Sequence, residues 1–248
     1  MKDSIMSRRT VRKYKKEDVS DALLDSLLEA AARTQTMGNL QLYSVVKTRD
    51  EEMKRRLAPA HFGQPMVTEA PVVLTICADF NRTSQWCRCR NAEPGYDNLL
   101  SFINAATDAL LYTQTFCNLA EEAGLGLCYL GTTVYQPQQI IDLLQLPQLV
   151  MPVATLTVGW PDEMPALTDR LPLASFIHTE TYADYTPADI DRYYTPKESL
   201  SENQHFVEIN HKQTLAQVFA EIRYTKKDNE LLSEGLLEAL KKQGFLRE

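Results

Sequence analysis

The chain is short of the features by which a sequence usually declares its chemistry. Its 248 residues include only nine glycines, and these do not form a complete phosphate-binding loop. Gly124-Leu125-Gly126 begins a G-x-G-x-x-G pattern, but position 129 is tyrosine and the segment leads into an apolar run, which argues against a dinucleotide fingerprint. There is no P-loop and no G-x-S-x-G turn for a serine nucleophile. The four histidines (His61, His178, His205, His211) are dispersed, and Trp86-Cys87-Arg88-Cys89 lacks the second ligand pair that zinc needs, so no metal site is expected. The five cysteines are odd in number and scattered, three of them within apolar stretches, which suits reduced thiols in a reducing compartment. No apolar run approaches the length of a membrane span, and Met1 to Met6 has no signal-like apolar core. A cytoplasmic protein without a membrane partner is therefore expected.

Positive charge is also scarce. Lysine and arginine number 26 against 33 acidic residues, a net charge of -7, so the molecule as a whole repels nucleic acid and anionic membranes. Any anion site must be local. Against that background Ser7 to Tyr14 (SRRTVRKY) holds Arg8, Arg9, Arg12 and Lys13. Such a cluster is bound to an anion, aimed at one, or solvated, and the charge pattern alone leaves these open. With no earlier helix evident, the arginines are not expected to serve as C-terminal dipole partners. A second cue is Arg170, which follows the turn Gly159-Trp160-Pro161 at a strand end, and arginine forks match phosphate oxygens in pairs.

Hydrophobic periodicity gives an α+β architecture. Ser20 caps a helix running to about residue 33, with Val19 placed to staple onto Leu24. Strands are expected at 41–48, 71–80, 126–131 and 150–160, the second apolar on consecutive positions and so covered on both faces. A long helix over 97–123 has little polar face, which points to a core or a dimer interface, and Gly124 ends it. Pro137 opens a short helix to Leu144. Strands interleaved with helices imply a central mixed sheet covered by helices. Beyond residue 162 the pattern weakens, with helical stretches near 213–223 and 228–243. The division expected is a core over 1–173 and a C-terminal extension over 174–248. If the chain does redox chemistry, a bound cofactor must supply it.

Several short segments together carry a resemblance. Arg9-Thr10-Val11-Arg12, Thr34 to Gln41 (TQTMGNLQ), Phe62-Gly63-Gln64-Pro65, Ala78-Asp79-Phe80-Asn81-Arg82, Gly124-Leu125-Gly126 with Tyr129-Leu130-Gly131, and Leu146-Pro147 through Gly159-Trp160-Pro161 to Arg170-Leu171-Pro172 occur in the order and spacing of the nitroreductase superfamily. The chain resembles its NADPH-dependent oxygen-insensitive nitroreductase and flavin reductase branch over residues 8 to about 173, with a weaker match at Lys242-Gln243-Gly244-Phe245.

The resemblance implies a nitroreductase-like homodimer with exchanged C-terminal arms and two FMN groups at the subunit interface. Arg8, Arg9, Thr10 and Arg12 then line the ribityl phosphate and one flavin edge, and Arg170 closes on the phosphate. Thr36, Met37 and Gly38 approach from the partner subunit. Gln64 meets the pyrimidine edge, and Tyr129, Leu130, Gly131 and Thr132 run along the ring. Asn39 and Lys197 face substrate, Lys197 near the NADPH 2′-phosphate. Thr168 replaces a branch lysine, removing one charge from the phosphate site. The implied activity is ping-pong transfer of hydride from NADPH or NADH through FMN to a nitroaromatic, quinone or free flavin, with no side chain needed as acid or base. Reductive dehalogenation or flavin breakdown on the same scaffold, and a non-enzymatic anion-binding protein, are the alternatives. The charge balance disfavours nucleic acid as a partner.

Overall fold

The structure, a computed structural model, describes residues 2–246 and the side chains of residues 4–246. It divides into two compact units, one formed by Met1–Ala166 with Leu232–Glu248 and one by Leu167–Leu231.

The first unit is built on a four-stranded sheet of β1 (Tyr43–Thr48), β2 (Val72–Asp79), β3 (Gly126–Leu130) and β4 (Val150–Gly159), in the order β1-β2-β4-β3. Where the sequence suggested a mixed sheet, every neighbouring pair is antiparallel. The reason is that β4 lies between β2 and β3. Those two strands share a direction and are linked through the long helix, but they do not touch as a parallel pair.

Side-chain alternation divides the core. Val72, Leu74, Ile76 and Ala78 of β2 join Leu127 and Leu156 in the larger cluster. Val73, Cys128 and Leu130 point the other way into a smaller cluster with Leu57, Ala60, Met66, Val67 and Ile140. Every residue of β2 and β4 is buried, including the polar Thr75, Asp79, Thr155 and Thr157 that interrupt their apolar runs.

The helices introduced in chain order are α1 (Lys2–Met6), α2 (Asp21–Ala31), α3 (Glu51–Leu57), α4 (Met66–Glu69), α5 (Asn81–Arg88), α6 (Leu99–Glu122) and α7 (Pro137–Leu144). Ser20 caps α2 by accepting from Leu23 N, and Val19 and Leu24 are both fully buried beside it. Asn98 caps α6, accepting from Ser101 N at 2.9 Å. Its other end closes in a Schellman motif: Gly124 takes φ +87°, Leu125 N donates to Ala120 O at 2.9 Å, and Gly124 N donates to Glu121 O at 3.1 Å.

The long helix departs from the expectation of little exposed face. Ala105, Asp108, Ala109, Tyr112, Phe116 and Ala120 are buried, while Leu99, Leu100, Ile103, Leu110 and Leu111 are 43–68% exposed in the single chain. An apolar stripe of that kind is half of something.

Residues 232–246 belong to this unit as well. Leu240 and Phe245 enter the larger core, and Gln243 Nε2 donates to Pro147 O at 2.9 Å and to Val150 O at 2.5 Å. The motif Lys242 to Phe245 therefore clasps the start of β4.

The second unit contains α8 (Pro187–Glu198), α9 (Ser201–Ile209) and α10 (Leu215–Val218), and the last helix, α11 (Lys226–Lys242), begins there. The first two were hidden in the sequence. Thr186 and Asp189 form a capping box for α8, but Pro196 interrupts its interior and only Tyr193 of its residues is buried. The stretch expected as one helix near 213–223 is α10 continued by a π turn over Phe219–Arg223.

Candidate functional site

The basic segment lies along the sheet edge formed by β3. Val11 N donates to Leu127 O at 3.0 Å, and the Val11 side chain fills the space over Gly126, where an added Cβ would meet Val11 Cγ1 at 2.7 Å. Tyr14 fixes the far end of the run, its hydroxyl 2.7 Å from Thr157 Oγ1 and 2.8 Å from Val11 O. Burial raises the Tyr14 pKa far above the ordinary phenol value, so it stays protonated.

Contrary to the sequence reading, a short helix does precede the arginines: α1 ends at Met6, and Arg8 N donates to Ile5 O at 3.3 Å. A five-residue helix was invisible because it carries no recognisable stop signal before the cluster. Arg8 and Arg9 instead line a cleft of about 240 Å³ with Ser4, Ser7, Glu121 and Gly124 to Gly126 among its walls.

The two arginines there differ. Arg8 Nε lies 3.4 Å from Glu121 Oε1, an ion pair not aligned as a hydrogen bond. Burial pushes the Glu121 pKa up, and Arg8 opposes that shift. Arg9 donates one guanidinium N–H to Ser7 O at 2.7 Å, but its Nε is buried and has no hydrogen-bond partner among the described residues. Arg12 is exposed, and its backbone N donates to Glu163 Oε1 at 2.7 Å. Thr10 is half-buried between them.

A second group joins two loops. The chain leaves β3 through Leu130 into a turn at Gly131–Val134, which packs on the turn Ala58–His61. His61 Nδ1 is 2.9 Å from Thr132 Oγ1, and the Phe62 and Tyr135 rings meet edge-on with centroids 6.3 Å apart. Gln64 follows directly, half-buried, with its backbone N donating to His61 O at 3.2 Å. Tyr129 is 42% exposed, Leu130 is buried, and a Cβ placed on Gly131 would meet nothing within 4 Å.

Thr36, Met37, Gly38 and Asn39 form a third group. Thr36 Oγ1 donates to Asp108 Oδ2 at 2.5 Å, Met37 N donates to Asp108 Oδ1 at 3.0 Å, and Leu42 N donates to Oδ2 at 3.2 Å. Gly38, Asn39 and Gln41 all take left-handed φ, between 48° and 56°. This is costly for side chains other than glycine, and the fixed loop ends hold it in place. The loop feeds β1, the opposite sheet edge from β3. Three interstrand steps of ~4.8 Å separate those edges by about 14 Å.

Arg170 and Lys197 lie in the second unit, where their contacts are local. Arg170 donates to Thr168 Oγ1 at 2.7 Å and to Asp169 O at 2.8 Å, and Lys197 pairs with Asp169 at 2.9 Å. Thr168, which removes a charge, thus acts as an acceptor for the arginine beside it.

Sequence reasoning missed Asp108 and His61. Asp108 was an unremarked polar position in an apolar helix, the one signal that could have drawn attention to it. His61 was set aside with the dispersed histidines. Among the described residues no cluster of metal-ligating side chains occurs, and no helix is long and apolar enough to cross a membrane.

Residues 5–160 match the Nitroreductase family, and the chain belongs to that family. It is 34% identical over 181 residues to an FMN reductase [NAD(P)H] of Bacillus subtilis, covering 72% of this chain and 73% of the relative. It is 31% identical over 189 residues to an oxygen-insensitive NADPH nitroreductase of Salmonella typhimurium, covering 76% and 77%. A crystal structure from Bacteroides fragilis superimposes with a TM-score of 0.98 at 61% identity, covering 99% of this chain and all of that one, 100%.

Proposed function

We propose that the protein is an FMN-dependent NAD(P)H oxidoreductase that reduces nitroaromatics, quinones or free flavin. The observation that carries this reading is the unsatisfied arginine: Arg9 Nε is buried without a hydrogen-bond partner among the described residues, in a cleft that also holds Arg8, within a chain of net charge -7. A buried charged donor left open in this way fits a phosphate oxygen. The open space over Gly131 is a second fit, since it lets backbone approach a flat ring. The names of the relatives, an FMN reductase and an NADPH nitroreductase, support the same cofactor and donor.

When bound, FMN would supply the redox chemistry, the exchange of an electron pair between a nicotinamide donor and the acceptor. The protein's part is to hold and orient. Arg8, Arg9, Thr10 and Arg12 hold the phosphate and stabilise negative charge at the flavin edge. Gln64 offers both a donor and an acceptor to the pyrimidine edge, and Tyr129 to Thr132 form a wall. Asn39 serves the substrate side.

The site is completed by a second copy of the chain. The exposed stripe Leu99, Leu100, Ile103, Leu110 and Leu111 supplies a dimer face, and residues 36–39 lie at the sheet edge remote from β3, so they serve the partner's flavin. The C-terminal region over residues 174–231 reaches the partner as an exchanged arm, while Leu240, Gln243 and Phe245 anchor the end of α11 in the chain's own core.

The test is the visible spectrum of purified protein, with the chromophore released and identified, before and after anaerobic NADPH. Flavin bands that identify as FMN and bleach on addition are expected. A protein that takes up no FMN overturns the reading.

A further inference from the structure

His61 is fully buried, and its ring joins loops 71 positions apart in the chain. Nδ1 is 2.9 Å from Thr132 Oγ1, while Nε2 is buried with no hydrogen-bond partner among the described residues. Burial lowers the His61 pKa to about 4, so at neutral pH the ring is uncharged and only one nitrogen carries a proton.

The two tautomers are not equivalent in this setting. With the proton on Nε2, a buried N–H donor faces no acceptor among the described residues, and Nδ1 must accept from Thr132. With the proton on Nδ1, the N–H donates to Thr132 Oγ1 and the orphan is only a lone pair. Orphaned buried donors are the rarer and costlier case. The second arrangement also fixes the threonine: its oxygen accepts from His61, so its single proton is available elsewhere. The adjacent Thr133 shows the contrast, since it is buried and donates its proton to Leu130 O at 2.8 Å.

We propose that His61 donates Nδ1–H to Thr132 and so commits the half-buried Thr132 hydroxyl as a donor to an acceptor atom of the flavin ring lying along Gly131. This rests on the FMN reading above and makes His61 a positioning residue that acts through Thr132. The contact between Phe62 and Tyr135 holds the two loops in the register the hydrogen bond needs.

The experiment reads the tautomer first. Nitrogen-15 histidine spectra of the purified protein, with and without FMN, identify His61 as the ring lost in His61→Asn. The Nδ1–H form is expected in both states. The second readout is FMN affinity: Thr132→Val weakens it by a factor of about three to ten, the scale of one hydrogen bond, Thr132→Ser restores it, and His61→Asn, whose amide donates from nearly the Nδ1 position, stays close to wild type. An Nε2–H tautomer overturns the proposal, as does a Thr132→Val protein that binds FMN like wild type. Wild-type protein that binds no FMN overturns the cofactor reading instead, and the two failures are distinguishable because the tautomer is read without flavin.

Discussion

Asp108 and Thr36 stand 72 positions apart, and the threonine hydroxyl donates to the aspartate carboxylate at 2.5 Å. The carboxylate is 3% exposed and also accepts from the backbone N–H groups of Met37 and Leu42, so one side chain of α6 fixes the whole left-handed loop before β1. Asp108→Asn replaces an acceptor oxygen by a donor facing those N–H groups. A loss of about 1–3 kcal/mol in urea unfolding is expected, with faster amide exchange at Met37 and Leu42. Unchanged exchange at both amides contradicts this account of the loop.

Arg8 and Arg9 separate by the same reasoning. Arg8 faces the half-buried Glu121, whereas the Arg9 Nε has no hydrogen-bond partner among the described residues. Arg9→Met is expected to lower FMN affinity by more than about tenfold, because a charge-assisted contact is lost. Arg8→Met also lowers FMN affinity but in addition costs stability, about 1 kcal/mol, of which Glu121→Gln in that background recovers part. Titration of FMN and denaturant midpoints of the three variants check the division.

Two glycines give opposite expectations. Gly126→Ala forces a methyl to within 2.7 Å of Val11 Cγ1 and 2.8 Å of its Cβ, and an overpacked contact of this kind costs about 1–3 kcal/mol. Gly131→Ala meets nothing within 4 Å and has no positive φ. Its folding stability should move by less than about 0.5 kcal/mol, while FMN binding falls because the methyl enters the ligand's space. Thermal unfolding beside flavin titration distinguishes the two positions.

His61 makes stability depend on pH. Its folded pKa of about 4 lies below its ordinary value of 6.5, so between those values the unfolded state binds more protons. Stability is therefore fully present above pH 6.5 and declines as pH falls toward 4. The full difference is on the order of 3 kcal/mol. His61→Asn removes the ionisation, so the slope of unfolding free energy against pH should flatten in that window. An unchanged slope assigns the dependence to other groups.

The apolar stripe on α6 gives the last expectation. Leu111→Glu places a charge on an exposed part of the stripe, where Leu111 is 43% exposed and therefore dispensable to the single chain's own core. Sedimentation should show wild-type dimers and a variant shifted to monomer, with FMN lost in parallel because residues 36–39 no longer reach the partner's site.

The sequence by itself determined the framework. Predominantly apolar, β-branched runs marked β2 and β4, Ser20 and Pro137 marked helix starts, and Gly124 marked the end of α6, because these signals are local and act within a few residues. It also carried the ordered motifs of the family and the oddity of arginines in an acidic chain. The helices α8 and α9 escaped because their apolar periodicity is weak and most of their surface is exposed. Only the tertiary structure decided that β4 lies between β2 and β3, that Asp108 holds Thr36, that His61 meets Thr132, and that Arg8 has a carboxylate where Arg9 has none among the described residues. Each is a pairing of groups far apart in the chain, set by which faces the strands and helices bury, and no local propensity encodes it.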